Sequence, residues 1–333
     1  MHKKDNLTLS VIIPTRNRAD FLEIALESIG QQSASKDRFE TLVIDNGSTD
    51  HTRAVVDKIR GKISNLKYFH EPQPGLHSGR HRGLRESMGD VLVYADDDIR
   101  AMPSWLSTLS EVFADPRVAM AGGNNYPDFL GAVPAWLERL WARPVYGGQM
   151  IGQLSILSLP EGRREMDPLL VWGCNFSIRR QVLLDAGGFH PDAMPKEHSW
   201  FRGDGETHVS QYVKDNGLRC IFDSGASVYH AVTPERMTIA YFRQRAFNQG
   251  ISDSYTALRK SSRPSRVTAW MRLSRMQLAK RLRGLLGREF ENSVLEQVNA
   301  EQMRGYIEGF RYHQRLYFEM PEVRDWVDQP NYW

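Results

Sequence analysis

Three consecutive carboxylates, Asp96, Asp97 and Asp98, form an acidic triad directly after the apolar run at residues 91–94. Adjacent carboxylates repel one another, and a hard divalent cation such as Mg²⁺ or Mn²⁺ would hold them together, since it takes oxygen ligands and bridges to phosphates. Because ligands bind beyond the carboxyl ends of strands in open α/β sheets, the position of the triad predicts a binding site. The alternative is a solvated acidic turn or an N-cap for the next helix.

Polar residues also follow two earlier apolar runs, at points where strands would end. The residues after the first run are Pro14, Thr15, Arg16 and Arg18. They offer a hydroxyl group and cations at the start of a helix, which favour phosphate or ribose oxygens. After the second run, Asp45 opens a turn with Gly47 and can accept a hydrogen bond from an N–H group of a base. The alternatives are solvated loop charges and a turn aspartate that bonds its own backbone.

The elements that must position these residues alternate along the first hundred residues. Apolar runs at residues 7–13, 41–44, 67–70 and 91–94 predict four short strands, and apolar residues at helical spacing between them predict helices. Strands and helices that alternate at this pace indicate an α/β fold with a mostly parallel, doubly wound sheet.

Composition sets broad limits on the protein class. The chain has 333 residues, of which 41% are hydrophobic, enough for a large core. Its two cysteines, Cys174 and Cys220, have neither the number for a disulfide framework nor the spacing of a metal site, which favours a reducing compartment. The apolar stretch after the polar N-terminus is too short for a signal peptide or a membrane span, so a cytoplasmic location is expected.

Four motifs, in this order and at these separations, resemble those of family 2 glycosyltransferases, which have the GT-A fold. The motifs lie at residues 9–18, 43–50, 75–90 and 94–98. The resemblance implies that the first two bind the nucleotide of a nucleotide-sugar donor and that Asp45 contacts the base. It also implies that the acidic motif binds the ribose and the metal on the diphosphate.

The resemblance gives the acidic residues separate roles. It implies that Asp98 is a metal ligand and that Asp96 contacts the sugar nucleotide and also reaches the metal, whereas Asp97 has the weakest claim to a role in donor binding. In the third motif the chain reads Gly-Arg-His at residues 79–81, where the family often has Ala-Arg-Asn. Arg80 therefore matches as a donor-binding residue, and the role of the histidine is left open.

The resemblance continues into the second half of the chain. The segment at residues 172–180 is similar to the one that precedes the catalytic acids in the family, and its position implies that it binds the acceptor. The expected acceptor-binding residues are Trp172, Gly173 and Asn175.

The catalytic base of the family is the aspartate of a Glu-Asp pair at the start of a helix. Counting back from Gly217, which ends that helix, places Glu206 at the base position and Gly205 at the position of the preceding acid. Such a carboxylate, which takes the proton of an acceptor hydroxyl, typically contributes about 10²- to 10⁴-fold to the rate. Asp204 is the second candidate. The alternative is that both acids only favour the positive end of the helix dipole.

A histidine, His230, follows the apolar run at residues 226–229. In many enzymes with the GT-A fold a histidine near this point reaches the metal or the diphosphate, and a neutral imidazole can complete a site made of carboxylate and phosphate oxygens. The alternative is a histidine satisfied by the backbone at a strand end. The nearby Arg243 and Arg245 resemble a family pattern in which a helix closes over the donor, so they are candidates to neutralise the leaving diphosphate.

The residues 259–288 contain ten Lys or Arg and no Asp or Glu. Apolar residues recur there at helical spacing with cations largely opposite, which predicts a basic amphipathic helix. This composition suits peripheral binding to an anionic membrane, here the inner face of the plasma membrane. The alternative is a helix that packs its apolar face on the catalytic domain.

Residues and resemblance together predict a glycosyltransferase with a metal site and a carboxylate base, and the resemblance implies that it inverts the configuration of the sugar. A GT-A domain is expected at residues 1–232, with a nucleotide-sugar-binding half (1–120) and an acceptor-binding half (121–232), followed by a helical C-terminal extension (233–333). The enzyme would use Mg²⁺ or Mn²⁺ to move a sugar from a UDP- or dTDP-linked donor to a glycan or lipid-linked acceptor, in polysaccharide, glycolipid or cell-surface glycan assembly. A non-catalytic membrane module of the same fold and a sugar nucleotidyltransferase are the alternatives. Nucleic-acid binding is not expected, because no segment resembles a reader motif.

Overall fold

A computed structural model describes residues 7–63, 65–261 and 293–333 of the chain. The strands in these residues are β1 (Leu9–Thr15), β2 (Phe39–Asp45), β3 (Leu66–His70), β4 (Val91–Ala95), β5 (Ile99–Ala101), β6 (Val118–Gly122), β7 (Asn125–Phe129), β8 (Pro144–Val145), β9 (Gly148–Ile151), β10 (Ile156–Ser158), β11 (Arg163–Glu165), β12 (Asn175–Arg179), β13 (Arg219–Asp223) and β14 (Val228–Val232). The α-helices are α1 (Ala19–Gly30), α2 (Thr52–Ile59), α3 (Leu76–Glu86), α4 (Trp105–Val112), α5 (Ala135–Trp141), α6 (Arg180–Asp185), α7 (Thr207–Asp215), α8 (Ile239–Arg259), α9 (Ser293–Glu319) and α10 (Pro321–Val327).

The larger of two sheets has eight strands in the order β11-β13-β6-β12-β4-β1-β2-β3. β1 pairs in parallel with β2 and β4, and β2 pairs in parallel with β3. Only β12 and β11 run against the other six strands of this sheet. The prediction of a mostly parallel sheet is confirmed. The carboxyl ends of β1, β2 and β4 therefore lie side by side at one edge.

Helices cover both faces of this sheet. Along β1, Val11 and Ile13 pack with α1, α2 and α4, whereas Ile12 packs on the opposite face with α3, α6 and α7. This alternation follows from the two-residue period of a strand. Burial on both faces also explains why these strands are nearly continuous apolar runs in the sequence. The predicted doubly wound architecture is confirmed.

A smaller sheet, with the strand order β5-β14-β7-β10-β9-β8, positions the histidine of the site. The sequence did not predict it, because its strands have only two to five residues. β14 pairs with β5 so that His230 lies opposite Ile99. The backbone N–H of Ala231 donates to the carbonyl of Asp98 at 2.9 Å. The sheet thereby holds His230 beside the acidic triad.

The C-terminal region is helical, as predicted, and α8 packs along α9. A Cβ atom added to Gly250 would overlap the carbonyl oxygen of Tyr306, and one added to Gly309 would overlap that of Phe247. Glycine at these positions lets the two backbones approach closely. The predicted basic amphipathic segment, from residue 262 onward, lies outside the described residues. Among the described helices, none is long and apolar enough to cross a membrane.

One buried histidine at this helix pair makes the fold sensitive to acid. His313 of α9 shares a hydrogen bond of 2.8 Å with Ser254 of α8, and burial lowers the pKa of His313 to about 4. The unfolded chain, where the pKa of histidine is about 6.5, binds more protons between these pH values, so the free energy of unfolding falls as the pH falls through this window. In the variant His313→Leu we expect the free energy of unfolding to depend less steeply on pH. The slope should be smaller by up to about 1.4 kcal/mol per pH unit.

Urea unfolding at several pH values between 7 and 4 measures this difference. The matched control is His51→Leu, because the side chain of His51 is 61% exposed. The control should keep the pH dependence of the unchanged protein. If the free energy of unfolding changes with pH equally in His313→Leu and in the unchanged protein, His313 is not the group that takes up the proton.

Candidate active site

A cleft of about 570 Å³ lies at the carboxyl edge of the large sheet. Twelve of the residues predicted from the sequence line it, namely Pro14, Thr15, Arg16, Arg18, Arg80, Asp96, Asp97, Asp98, Gly173, Glu206, His230 and Arg245. Six predicted residues do not line it, namely Asp45, Gly47, Trp172, Asn175, Asp204 and Arg243. Residues more than 200 positions apart in the chain are thus brought to one edge by the sheet and by α7.

Arginines neutralise two members of the acidic triad. Asp97 accepts a hydrogen bond of 2.7 Å from Thr15 and lies 3.1 Å from Nε of Arg18. Asp98 Oδ2 accepts a hydrogen bond of 2.7 Å from Arg18 and one of 3.3 Å from Arg236. Burial alone would raise the pKa of Asp98, but His230, Arg18 and Arg236 outweigh it and hold that pKa well below its usual range.

Asp96 is the most open carboxylate of the triad. Burial, and then the charge of Asp98, raise the pKa of Asp96. Asp96, Cys174 and His230 each offer one atom that could bind a metal. These three atoms all lie within 4.8 Å of one another. Among the described residues, Asp98 Oδ1 and His230 Nδ1 are buried without a hydrogen-bond partner, although Asp98 Oδ1 lies 3.3 Å from His230 Nε2.

Free carboxylate oxygens beside an imidazole fit a divalent cation. Asp96 and His230 are the ligands that this arrangement favours, with the unpartnered oxygen of Asp98 beside them. The sequence did not indicate Cys174. Burial, and then the charge of Asp96, raise the pKa of its thiol well above the usual value. A neutral thiol is a weak ligand for Mg²⁺ or Mn²⁺, so Cys174 is the least suited of the three.

Two contacts hold the carboxylate of Glu206. Its Oε2 accepts a hydrogen bond of 2.9 Å from Nη1 of Arg80, and its Oε1 accepts one of 3.2 Å from the backbone N–H of Gly173. The side chain of Arg80 is 3% exposed and that of Glu206 is 22% exposed. A Cβ atom at Gly173 would overlap the Arg80 guanidinium, so only glycine leaves room for this pair. Glu206 precedes α7 but makes no side-chain cap bond to it, and its carboxylate contacts the cleft wall instead.

Asp204, the second candidate for the base, lies outside the cleft. Its Oδ1 lies 2.6 Å from Nδ1 of His190, and its Oδ2 accepts a hydrogen bond of 2.5 Å from the hydroxyl of Thr256. The side chain is 7% exposed. Both oxygens are therefore occupied, and Asp204 ties the segment before α7 to α8.

Asp45 is held in its own turn. Its Oδ1 accepts a hydrogen bond of 2.7 Å from the backbone N–H of Ser48, and its Oδ2 accepts one of 2.6 Å from the hydroxyl of Tyr68. Gly47 has a positive φ of 79° in the same turn. The neighbour of Asp45, Asn46, lines the cleft. Asp45 therefore makes the bonds of a turn aspartate, while each of its oxygens keeps a second lone pair, so its contact with a base stays a prediction.

The predicted acceptor segment at residues 172–180 reaches the cleft through Gly173 and Cys174, whereas Trp172 and Asn175 do not line it. Asn175 is buried, accepting from Nε1 of Trp105 at 2.9 Å and donating to the carbonyl of Ala226 at 3.0 Å. Trp172 packs against the core of the large sheet. These two side chains therefore position the loop around Gly173.

The sequence left the role of His81 open. In the structure His81 joins two segments that lie far from it along the chain. Its Nε2 accepts a hydrogen bond of 2.9 Å from the backbone N–H of Phe189, and its Nδ1 lies 3.2 Å from the carbonyl of Tyr332. Burial lowers the pKa of His81 to about 3, so the ring is neutral at pH 7 and Nδ1 is the donor. His81 thus fixes α3, which carries Arg80, to the last residues of the chain.

Further charged residues line the cleft, and the sequence indicated only one of them. These residues are Asp192, Arg202, Arg236 and Arg245. Arg245 was a candidate together with Arg243, but Arg243 pairs with Glu308 at 2.9 Å, away from the cleft. The other three follow no recognisable motif.

Comparisons with known proteins support the fold. Glycosyltransferase AglE of Haloferax volcanii is 32% identical over 124 residues, which cover 36% of this chain and 41% of that protein. Validoxylamine A glucosyltransferase of Streptomyces hygroscopicus subsp. jinggangensis is 26% identical over 200 residues, which cover 55% of this chain and 47% of that protein. The chain spans less than half the length of these two relatives.

A solved structure has the same fold over nearly the whole chain. Mannosyltransferase PcManGT from Pyrobaculum calidifontis, in complex with GDP-Man and Mn²⁺, superposes with a TM-score of 0.55 at 18% identity, covering 94% of this chain and 87% of that one. The predicted GT-A fold is confirmed. The sequence model of the glycosyl transferase family 2 matches residues 10–185, which is more than half of the chain, and the chain therefore belongs to this family.

Proposed function

We propose that this protein is an inverting glycosyltransferase that moves a sugar from a nucleotide-diphosphate donor to an acceptor hydroxyl. The observation that carries the proposal is that Arg80 and Gly173 hold Glu206 in the same cleft as the open carboxylate of Asp96 and the imidazole of His230. A UDP- or dTDP-linked sugar is the proposed donor, and a glycan or lipid-linked hydroxyl is the proposed acceptor.

In this reaction Glu206 is the general base. The acceptor oxygen attacks the anomeric carbon from the face opposite the diphosphate, and its proton passes to the carboxylate of Glu206. The new bond joins the acceptor oxygen to the anomeric carbon, while the bond from that carbon to the phosphate oxygen breaks and its electrons leave with the diphosphate. The configuration at the carbon is inverted. Arg80 fixes the orientation of the carboxylate that this transfer requires.

Arginines of the cleft are proposed to bind the departing diphosphate. Arg245 lines the cleft, and its buried Nε has no hydrogen-bond partner among the described residues. A guanidinium that binds phosphate oxygens stabilises the charge that develops there. A divalent cation bound by Asp96 and His230 would supply further positive charge to the phosphate oxygens.

The organisation of the rest of the chain stays a proposal. Residues 1–232 would form the catalytic domain, with donor binding in 1–120 and acceptor binding in 121–232, and residues 233–333 would form the helical extension. The basic segment at 259–288 would place the enzyme on an anionic membrane surface, near a lipid-linked acceptor.

A panel of nucleotide sugars tests the function. The full chain is incubated with each donor, with Mn²⁺, with Mg²⁺ or with a chelator, and thermal stability and released products are measured. We expect one donor to raise the unfolding temperature only with metal and to release nucleoside diphosphate. Release of pyrophosphate would identify a nucleotidyltransferase instead, and no stabilisation by any donor would identify a non-catalytic module.

A further inference from the structure

Asp192 is a carboxylate in the cleft for which the motifs give no role. It lies on the loop between α6 and α7, and its side chain is 18% exposed. Its Oδ1 accepts a hydrogen bond of 2.7 Å from the backbone N–H of Ala193 and lies 2.5 Å from Nη2 of Arg202. Its carbonyl accepts a hydrogen bond of 3.0 Å from the backbone N–H of Leu76, at the start of α3. The residue is therefore held firmly on the α3 wall of the cleft.

The carboxylate of Asp192 fills the space that a side chain at position 205 would enter. Gly205 has a φ of 56°, and a Cβ atom built on it would lie 2.9 Å from Oδ2 and 3.1 Å from Cγ of Asp192. Position 205 directly precedes Glu206, and it is the position where an acid commonly precedes the base in this family. The chain thus has no acid at position 205, but the carboxylate of Asp192 lies where a side chain at that position would begin.

The second oxygen of Asp192 is free to bind a ligand. Among the described residues, none donates a hydrogen bond to Oδ2, whereas Oδ1 is fully engaged. Burial alone would raise the pKa of Asp192, but Arg202 and then Arg80 outweigh it and hold that pKa below its usual value. Asp192 is consequently an ionised acceptor that faces the cleft. An ionised acceptor binds hydroxyl groups with shorter and stronger hydrogen bonds than a neutral one.

Two observations place Asp192 on the donor side of the cleft. It is bonded to the start of α3, the helix that carries Arg80. Arg80, Asp96 and Asp192 line the same cleft, and the charges of Asp96 and Asp192 both raise the pKa of Arg80, so both carboxylates lie near Arg80. A sugar whose anomeric carbon lies near Arg80 and Glu206 would therefore turn its hydroxyl groups toward Asp192.

We propose that Asp192 binds a hydroxyl group of the sugar that is transferred, and that it is a specificity-determining residue of the donor site. The inference rests on the proposed function, because it requires a nucleotide-sugar donor. Arg202 is a positioning residue for this carboxylate, since it pairs with Oδ1 and leaves Oδ2 to the ligand.

The test compares two ligands on one variant. Calorimetry gives the dissociation constants of the nucleotide sugar and of the matching nucleoside diphosphate, each with Mn²⁺, for the full chain and for Asp192→Asn. We expect the nucleotide sugar to bind about tenfold more weakly to the variant, with binding of the diphosphate unchanged. The control is Asp325→Asn, because Asp325 is exposed on α10; it should alter neither constant.

Three results would overturn the inference. They are an unchanged constant for the nucleotide sugar, an equal loss for both ligands, and a change that appears only in the KM of the acceptor. If Asp192→Asn does not fold, Asp192→Glu keeps the charge beside Arg202 and displaces the free oxygen, so the same tenfold loss is expected for the sugar nucleotide alone. A failure of the unchanged protein to bind any nucleotide sugar would instead reject the proposed function.

Discussion

Replacement of Glu206 by Gln is expected to lower kcat of sugar transfer by about 10²- to 10⁴-fold. The amide has nearly the same shape as the carboxylate, and its oxygen can still accept a hydrogen bond from Arg80 or Gly173. It cannot take the proton of the acceptor hydroxyl. The loss should therefore fall on the chemical step, with donor binding little changed.

Release of nucleoside diphosphate under saturating donor and acceptor measures kcat, and calorimetry measures donor affinity. Glu161→Gln is the matched control, since Glu161 is exposed on the loop before β11 and does not line the cleft, and it should keep full activity. Asp204→Asn distinguishes the two acids. Because Asp204 bonds His190 and Thr256 outside the cleft, we expect it to lower thermal stability more than kcat. Near-normal transfer by Glu206→Gln would reject Glu206 as the base.

Replacement of Asp96 by Asn is expected to lower metal-dependent transfer by about 100-fold or more, because a metal ligand and its charge are lost together. Asp96 is the carboxylate of the triad that no arginine pairs with in the described residues. Its removal should leave the fold intact. Manganese titration of donor binding should show a higher metal requirement in this variant.

Asp98→Asn is the comparison that separates the two possible ligands. It leaves Arg18 and Arg236 facing a neutral side chain, so we expect a lower unfolding temperature as well as weaker activity. If Asp98→Asn lost manganese affinity at normal stability while Asp96→Asn kept it, the assignment from family resemblance, with Asp98 as the main ligand, would be the correct one.

The parts of this site that the sequence predicted are those determined by local pattern. Thr15 and Asp96 follow the apolar runs at residues 7–13 and 91–94, and the parallel pairing of β1 with β4 then brings these strand ends together. Glu206 was identified by the resemblance to the family, in which the base precedes the end of a helix by the spacing that separates Glu206 from Gly217. In each case residue type and position along the chain carry the information.

The parts that the sequence could not predict depend on which partner each polar atom finds. Asp45 has the residue type of a ligand-binding aspartate, but its hydrogen bonds with Ser48 and Tyr68 could not be read from the sequence. Asp192 and Arg236 reach the cleft from a loop and a turn without periodic pattern. The second sheet was missed because strands of two to five residues leave too little alternation to recognise.

The contact between His81 and Tyr332 has a practical consequence for handling the protein. The carbonyl of Tyr332 binds the buried imidazole one residue after Arg80, and the Tyr332 hydroxyl takes part in a hydrogen bond of 2.8 Å with Tyr255. An affinity tag fused after Trp333 would begin one residue from this contact. It would disturb α3, the helix whose Arg80 orients Glu206. A tag placed before residue 1 avoids this contact, so measurements on this protein are best made with the tag at that position.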